Sequence, residues 1–225
     1  MNTRALEIKH HKSPAKEVEK QFDDPLQQRD TATIGMWIFL ATEIMFFGVL
    51  FASYLILRTM HSAGFAEASR DTDLLLGSIE TAVLLVSSIT IMLGIRAVRM
   101  EQRRLGVFFL GLTALLGCGF LFIHGLEYRT DYFKHLIPGI DYHQSGPYWK
   151  AKELFYCLYY FITGFHSLHL FIGVCVNAGM AIRVARGSYG EHDYTALELA
   201  GLYWHLVDVV WIFVFPLLYL IGRSG

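Results

Sequence analysis

The sequence predicts an all-α integral membrane protein, a bundle of five transmembrane helices. Three observations carry that prediction. Apolar residues make up 54% of the 225 and charged residues only 17%, where a soluble domain has about a quarter charged. Five stretches reach the roughly 20 mostly apolar residues that a bilayer crossing requires. None of them alternates apolar and polar residues, the signature of a membrane β-barrel.

The chain opens on "MNTRALEIKHHKSPAKEVEKQFDDPLQQRD", which mixes both charge signs. It has neither the short apolar stretch nor the small-residue cleavage site of a secretory signal. Residues 1–33 therefore read as a polar cytoplasmic tail, and residues 34–225 as one five-helix membrane domain. The first span, about 34–57, carries Glu43 near its middle in "ATEIMFF". An ionised carboxylate there costs several kcal/mol unless it is paired, hydrated or protonated. Glu43 reads either as a proton-handling or gating acid or as a structural acid bonded to a neighbouring helix.

The second span, about 76–98, has Glu80 near its outer end, and the third, about 105–126, is followed at once by Glu127. Both carboxylates are expected at interface depth, where charge costs little. The fourth span, about 154–182, sets His166 and His169 three apart, and Gly173 and Asn177 continue the same face. A helical HxxH pair can offer two nitrogens to one metal, and haem in a bundle takes one axial ligand from each of two helices. His124 and His205 would supply further donors. Against ligation, no carboxylate-rich helix pair completes a di-iron set. Interhelical hydrogen bonding, at roughly 0.6 kcal/mol per bond, is the plainer role.

The fifth span, about 198–221, lines up Glu198, Gly201, His205, Asp208 and Ile212 at steps of three and four. That spacing gives one face, which must look toward protein rather than lipid. His205 with Asp208 reads as a proton relay or as an ion pair that fixes helix register, and the register reading is preferred. Trp204 and Trp211 lie on an adjoining line, and Pro216 is expected to kink the helix near its end.

Between spans three and four, residues 127–153 are expected to form a long external loop containing Pro138 and Pro147. Basic residues divide twelve to seven between the two sides, the larger group being Arg4, Lys9, Lys12, Lys16, Lys20, Arg29, Arg96, Arg99, Arg103, Arg104, Arg183 and Arg186. The positive-inside rule then puts the N-terminus in the cytoplasm and the C-terminus outside. Small residues in every span, among them Gly48, Ser87, Ser88, Gly111, Gly117, Gly119, Gly164, Gly173 and Gly179, are expected to let helices approach closely. Cys118, Cys157 and Cys175 form no CxxC pair and read as small buried hydrophobes rather than ligands or disulfides. A net charge of −1 excludes a nucleic-acid surface. The lack of an internal repeat or an interrupted helix pair counts against a secondary transporter.

Five strings then occur in a telling order: "GMWIFLATEIMFF", "TAVLLVSSIT", "HGLEYRTDYF", "TGFHSLHLFIGV" and "ELAGLYWHLVDVVWIFVFPLLYL". Over residues 34–222 the chain resembles subunit III of the haem–copper terminal oxidases, the cytochrome c and quinol oxidase group. The resemblance implies a helical subunit that holds no catalytic residue, haem or copper itself; those centres lie in partner subunits. It implies direct packing on subunit I, with subunit II and a small subunit IV as further candidate neighbours. It also implies bound structural phospholipids and support of turnover and proton uptake in a proton-pumping complex that reduces O2 to water in the bacterial cell (inner) membrane.

Longer members have seven helices in two bundles divided by a lipid-filled cleft. This chain starts where their third helix would, so it resembles the short bacterial form. By position, Glu43 matches the family's buried carboxylate that carbodiimides modify. Glu127, His166, His169, Glu198, His205 and Asp208 match recurring polar positions. Three positions depart from the family pattern: Ser167 stands for Gly, His124 for Gln and Glu80 for Asn. Accessory subunits linked to nitric oxide reductases share the fold and motifs, so both branches stay open, as does the choice of cytochrome c or quinol as electron donor.

Overall fold

The computed structural model describes residues 25–139, 141–142, 146–187, 191–220 and 222. Five helices in it are long and apolar enough to cross a membrane. They are α1 (Pro25–Met60), α3 (Leu74–Arg99), α4 (Arg103–Phe133), α5 (Trp149–Arg186) and α6 (Glu191–Phe215), joined by a short α2 (Ser62–Asp71). Each crossing helix contains one predicted span, except that the fifth runs past the end of α6 into the turn that follows. The all-α membrane bundle is what the structure has.

Several boundaries differ from expectation. α1 begins at Pro25, inside the expected tail; the remainder of that tail, residues 1–24, lies outside the described residues. Proline suits a helix start because its missing N–H would be unpaired there anyway. Thr31 and Thr33 donate back to the carbonyls of Gln27 and Arg29 and so extend the polar first turns. α2 was not expected from "SAGFAEASRD", which is short and polar; it buries Phe65, Ala68 and Ser69 against the bundle.

The external loop is shorter than 127–153, because α4 runs on to Phe133 and α5 already starts at Trp149. Between them, β1 (Leu136–Ile137) and β2 (Asp141–Tyr142) pair as a two-residue antiparallel hairpin. The helical ends are polar in sequence yet buried: Asp131 packs inward at the end of α4, and Lys152 at the start of α5. Lys152 Nζ lies 2.7 Å from Asp71 and 3.3 Å from Glu67, which fastens α5 to α2.

α4 is the hub. It packs along α3 on one side and α5 on the other, and α6 lies across α3 and α5. Its inward stripe is Gly106, Leu110, Thr113, Gly117, Phe120, His124, Glu127 and Asp131, an alternation of four- and three-residue steps. A Cβ on Gly117 would stand 2.6 Å from Val174 and 2.7 Å from Trp204, so this close approach requires glycine. By contrast Gly48, Gly111, Gly119 and Gly179 meet nothing within 4 Å and make no helix contact. Cys118, Cys157 and Cys175 are likewise exposed on the outer faces of the bundle, free and not buried as expected. Apolar sequence alone cannot separate a lipid-facing position from a core one, since both are apolar.

α6 ends at Phe215 and continues as one π-helical turn, Pro216–Leu220. Proline removes a backbone donor and its ring crowds the preceding turn. The carbonyls left over at this end are taken by side chains: Tyr54 donates to Leu217 (2.8 Å), Ser69 to Leu218 (2.7 Å) and Arg70 to Gly222 (2.9 Å). α1 is the most exposed crossing helix, with 11% of its most apolar stretch buried against 50% for the last. An aromatic ladder holds it, with Phe46 5.1 Å from Phe165, Phe39 6.0 Å from Tyr203 and Phe51 6.3 Å from Phe213.

Candidate functional site

Polar side chains gather in three places inside the bundle. The first joins α1 to α5. Nε2 of His169 lies 3.0 Å from Oε2 of Glu43, an ion-pair contact that falls short of hydrogen-bond alignment. Nδ1 of His169 is 2.7 Å from the carbonyl of Phe165 one turn earlier. A carbonyl only accepts, so Nδ1 carries the hydrogen and a neutral ring presents Nε2 as an acceptor. The contact with Glu43 is then attractive only with a second proton, held by the imidazole or by the carboxyl. Phe47 closes over the ring at 5.5 Å.

The second gathering lies between α3, α4 and the π turn, roughly 9 Å inside the end at Leu74 by helical rise. Glu80 is 0% exposed and Glu127 3%, so both are buried within the bundle. His124 Nδ1 is 3.3 Å from Glu80 and 3.6 Å from Glu127. Tyr219 donates to Glu127 at 2.8 Å, and its hydroxyl is 3.2 Å from that of Tyr159. One turn further out, Tyr160 donates to Asp131 at 3.5 Å, and Tyr128 shares a 2.6 Å hydrogen bond with Thr163. His166 is fully buried beside this group, between Phe120 (5.6 Å) and Trp211 (5.0 Å), and neither ring nitrogen has a hydrogen-bond partner among the described residues.

The third gathering follows α6. His205 and Asp208 do not pair with each other. His205 Nδ1 shares a 2.8 Å hydrogen bond with Ser88 of α3. Asp208 is buried beside the same Ser88, with neither carboxylate oxygen in hydrogen-bond alignment. Glu198 pairs with Arg99 at the other end of α3. The stripe is inward only in its middle: Ile212 at its far end is exposed, and Glu198 is half-buried. The neighbouring tryptophan line adds two further bonds from α6 to α3. Trp204 donates to Ser87 at 3.0 Å and Trp211 to Thr81 at 3.1 Å. His124, His166, His169 and His205 thus serve separate contacts and do not converge on one point.

Sequence comparison matches residues 15–223 to the family described as cytochrome c oxidase subunit III. The chain belongs to the cytochrome c oxidase subunit III family. Among relatives of this subunit III, a protein named cytochrome c oxidase subunit 3 from Thermostichus vulcanus is 34% identical over 202 residues, covering 89% of this chain and 92% of its own. One named "probable quinol oxidase subunit 3" from Staphylococcus haemolyticus is 34% identical over 192 residues, covering 84% and 88%. Another of that name from Staphylococcus aureus is 30% identical over 203 residues, covering 89% and 94%. Subunit III is a multi-pass membrane subunit of a haem–copper oxidase.

Glu80 and His124, two of the three positions expected to depart from the family pattern, touch each other. Residue-by-residue reading missed this because each was weighed alone. The signal was available: Glu80 falls on the same three- and four-step stripe as Gly77, Leu84, Ser87 and Ile91, which all face α4 or α6. Tyr219, the partner of Glu127, and Tyr159, which bonds Tyr219, carried no such signal, since an isolated tyrosine near a span end more often marks the membrane interface.

Proposed function

We propose that this chain is the non-redox subunit of a proton-pumping haem–copper terminal oxidase of cytochrome c oxidase type, which reduces O2 to water in aerobic respiration. It sits in the bacterial cell membrane with residues 1–33 as a cytoplasmic tail, residues 34–225 as the membrane domain and the C-terminus outside. It packs on subunit I, with subunit II and a small subunit IV nearby, and phospholipids fill the space beside the exposed α1. Haem and copper belong to the partner subunits.

Glu43 and His169 carry this reading. Their 3.0 Å contact joins α1 to α5, with Nε2 of the imidazole turned toward the carboxyl because Nδ1 donates to Phe165. In the role proposed here the pair tunes proton supply to the catalytic subunit, while His205, Asp208, Glu198, His166 and Glu127 orient helices. Replacement Glu43→Gln supplies an amide N–H to Nε2 and removes the exchangeable proton. Slower oxidase turnover or faster inactivation during turnover is the expected result in the assembled complex. Unchanged values for both leave Glu43 a packing role only. Quinol is the alternative electron donor, favoured by the Staphylococcus haemolyticus relative at the same 34% identity. Oxidation of reduced cytochrome c, and not of quinol, by the purified complex supports the first reading.

A further inference from the structure

Glu80, His124 and Glu127 offer one oxygen or nitrogen each, and the three atoms lie within 4.8 Å of one another, all buried. Acceptors outnumber donors. Two carboxylates face one imidazole and one tyrosine hydroxyl, and no lysine or arginine pairs with either carboxylate among the described residues. Nδ1 of His124 faces both carboxylates, yet it holds at most one hydrogen and so can donate to only one of them. Oε2 of Glu80, itself completely buried, has no hydrogen-bond partner. An uncompensated carboxylate at this depth is costly.

The spacing separates a cation from a shared proton. Charge-assisted hydrogen bonds between nitrogen and carboxylate oxygen run to about 2.7–2.9 Å, whereas the Glu80 contact is a long hydrogen bond at 3.3 Å and the Glu127 contact stands at 3.6 Å. Ligands at about 2.0–2.1 Å from a tetrahedral ion stand roughly 3.3 Å apart. We propose that Glu80, His124 and Glu127 bind one divalent ion of the zinc class between α3 and α4. Mixed imidazole and carboxylate donors suit that class better than magnesium or calcium, which prefer oxygen alone. Tyr219, donating to Glu127 at 2.8 Å, is the outer hydrogen bond that orients a ligand, and Asp131 is a further buried carboxylate one turn along α4. The site rests on this geometry alone and stands apart from the proton role given to Glu43.

The test uses the whole membrane complex, stripped with EDTA, reloaded with Zn2+ and freed of excess by gel filtration. Elemental analysis is expected to find one zinc ion more per chain in wild type than in Glu80→Gln or His124→Gln. Tyr219→Phe, which keeps all three ligands, is expected to weaken zinc binding tenfold or more, in the range of outer-ligand effects (10–100-fold). X-ray absorption at the zinc edge of the reloaded wild type needs no variant and should show one imidazole nitrogen with oxygens at about 2.0–2.1 Å. Equal zinc content in wild type and His124→Gln, or wild type that retains none after reloading, would overturn the proposal and leave a proton as the counter-charge.

Discussion

One carboxyl and one imidazole, Glu43 and His169, tie the middle of α1 to α5, beside aromatic packing at 5 to 6 Å and the Tyr54 hydrogen bond to Leu217 near the helix end. The bond from Nδ1 to Phe165 turns Nε2 toward Glu43, and the proposed role places a proton between the two. Glu43→Gln should therefore leave assembly and the Tm of the complex unchanged while turnover falls, and Glu43→Ala should loosen α1 as well. Thermal melting beside oxygen consumption separates the two effects. How much of this was legible varied by residue. Glu43 stood out because a charge in an apolar run is conspicuous. Its partner did not, because pairing across helices depends on which faces meet. His205 and Asp208 drew attention as neighbours on one stripe, yet they do not pair, and both turn toward Ser88 of α3.

At the level of elements, α4 shows why small residues matter only where helices cross. Gly117→Ala should cost about 1–3 kcal/mol by overpacking Val174 and Trp204. Gly111→Ala, which meets nothing within 4 Å, should be neutral or slightly stabilising in a thermal melt. The end of α6 makes the matching case for backbone groups. Tyr54→Phe with Ser69→Ala strips two carbonyl partners from the π turn, and each bond is worth roughly 0.6 kcal/mol. Faster hydrogen exchange at residues 217–220, with the other helices unaltered, is the expected outcome. The five spans and the break at Pro216 were readable from length and composition. α2 and the hairpin were not, because short polar segments acquire structure only from the bundle they cap.

Taken whole, the molecule is a four-helix core of α3 to α6 with α1 leaning on it through few contacts. That asymmetry leaves a wide apolar face along α1, with Ile34, Trp37, Ile38, Ile44 and Met45 exposed, which suits lipid and a partner subunit better than water. The twelve-to-seven distribution of basic residues predicts that a periplasmic phosphatase reporter fused at the C-terminus is active and one fused at the N-terminus is silent. Membership of the oxidase subunit III family was legible because its signature strings are long; which contacts they make was not. The most direct test of the account is to recover the tagged chain from its native membrane in mild detergent, identify the large subunit that accompanies it, and record optical spectra of the complex and of the separated chain. The account predicts a haem–copper oxidase subunit I carrying all the haem absorbance and a colourless subunit III. Haem retained by the separated chain, or a nitric oxide reductase as its partner, would contradict it.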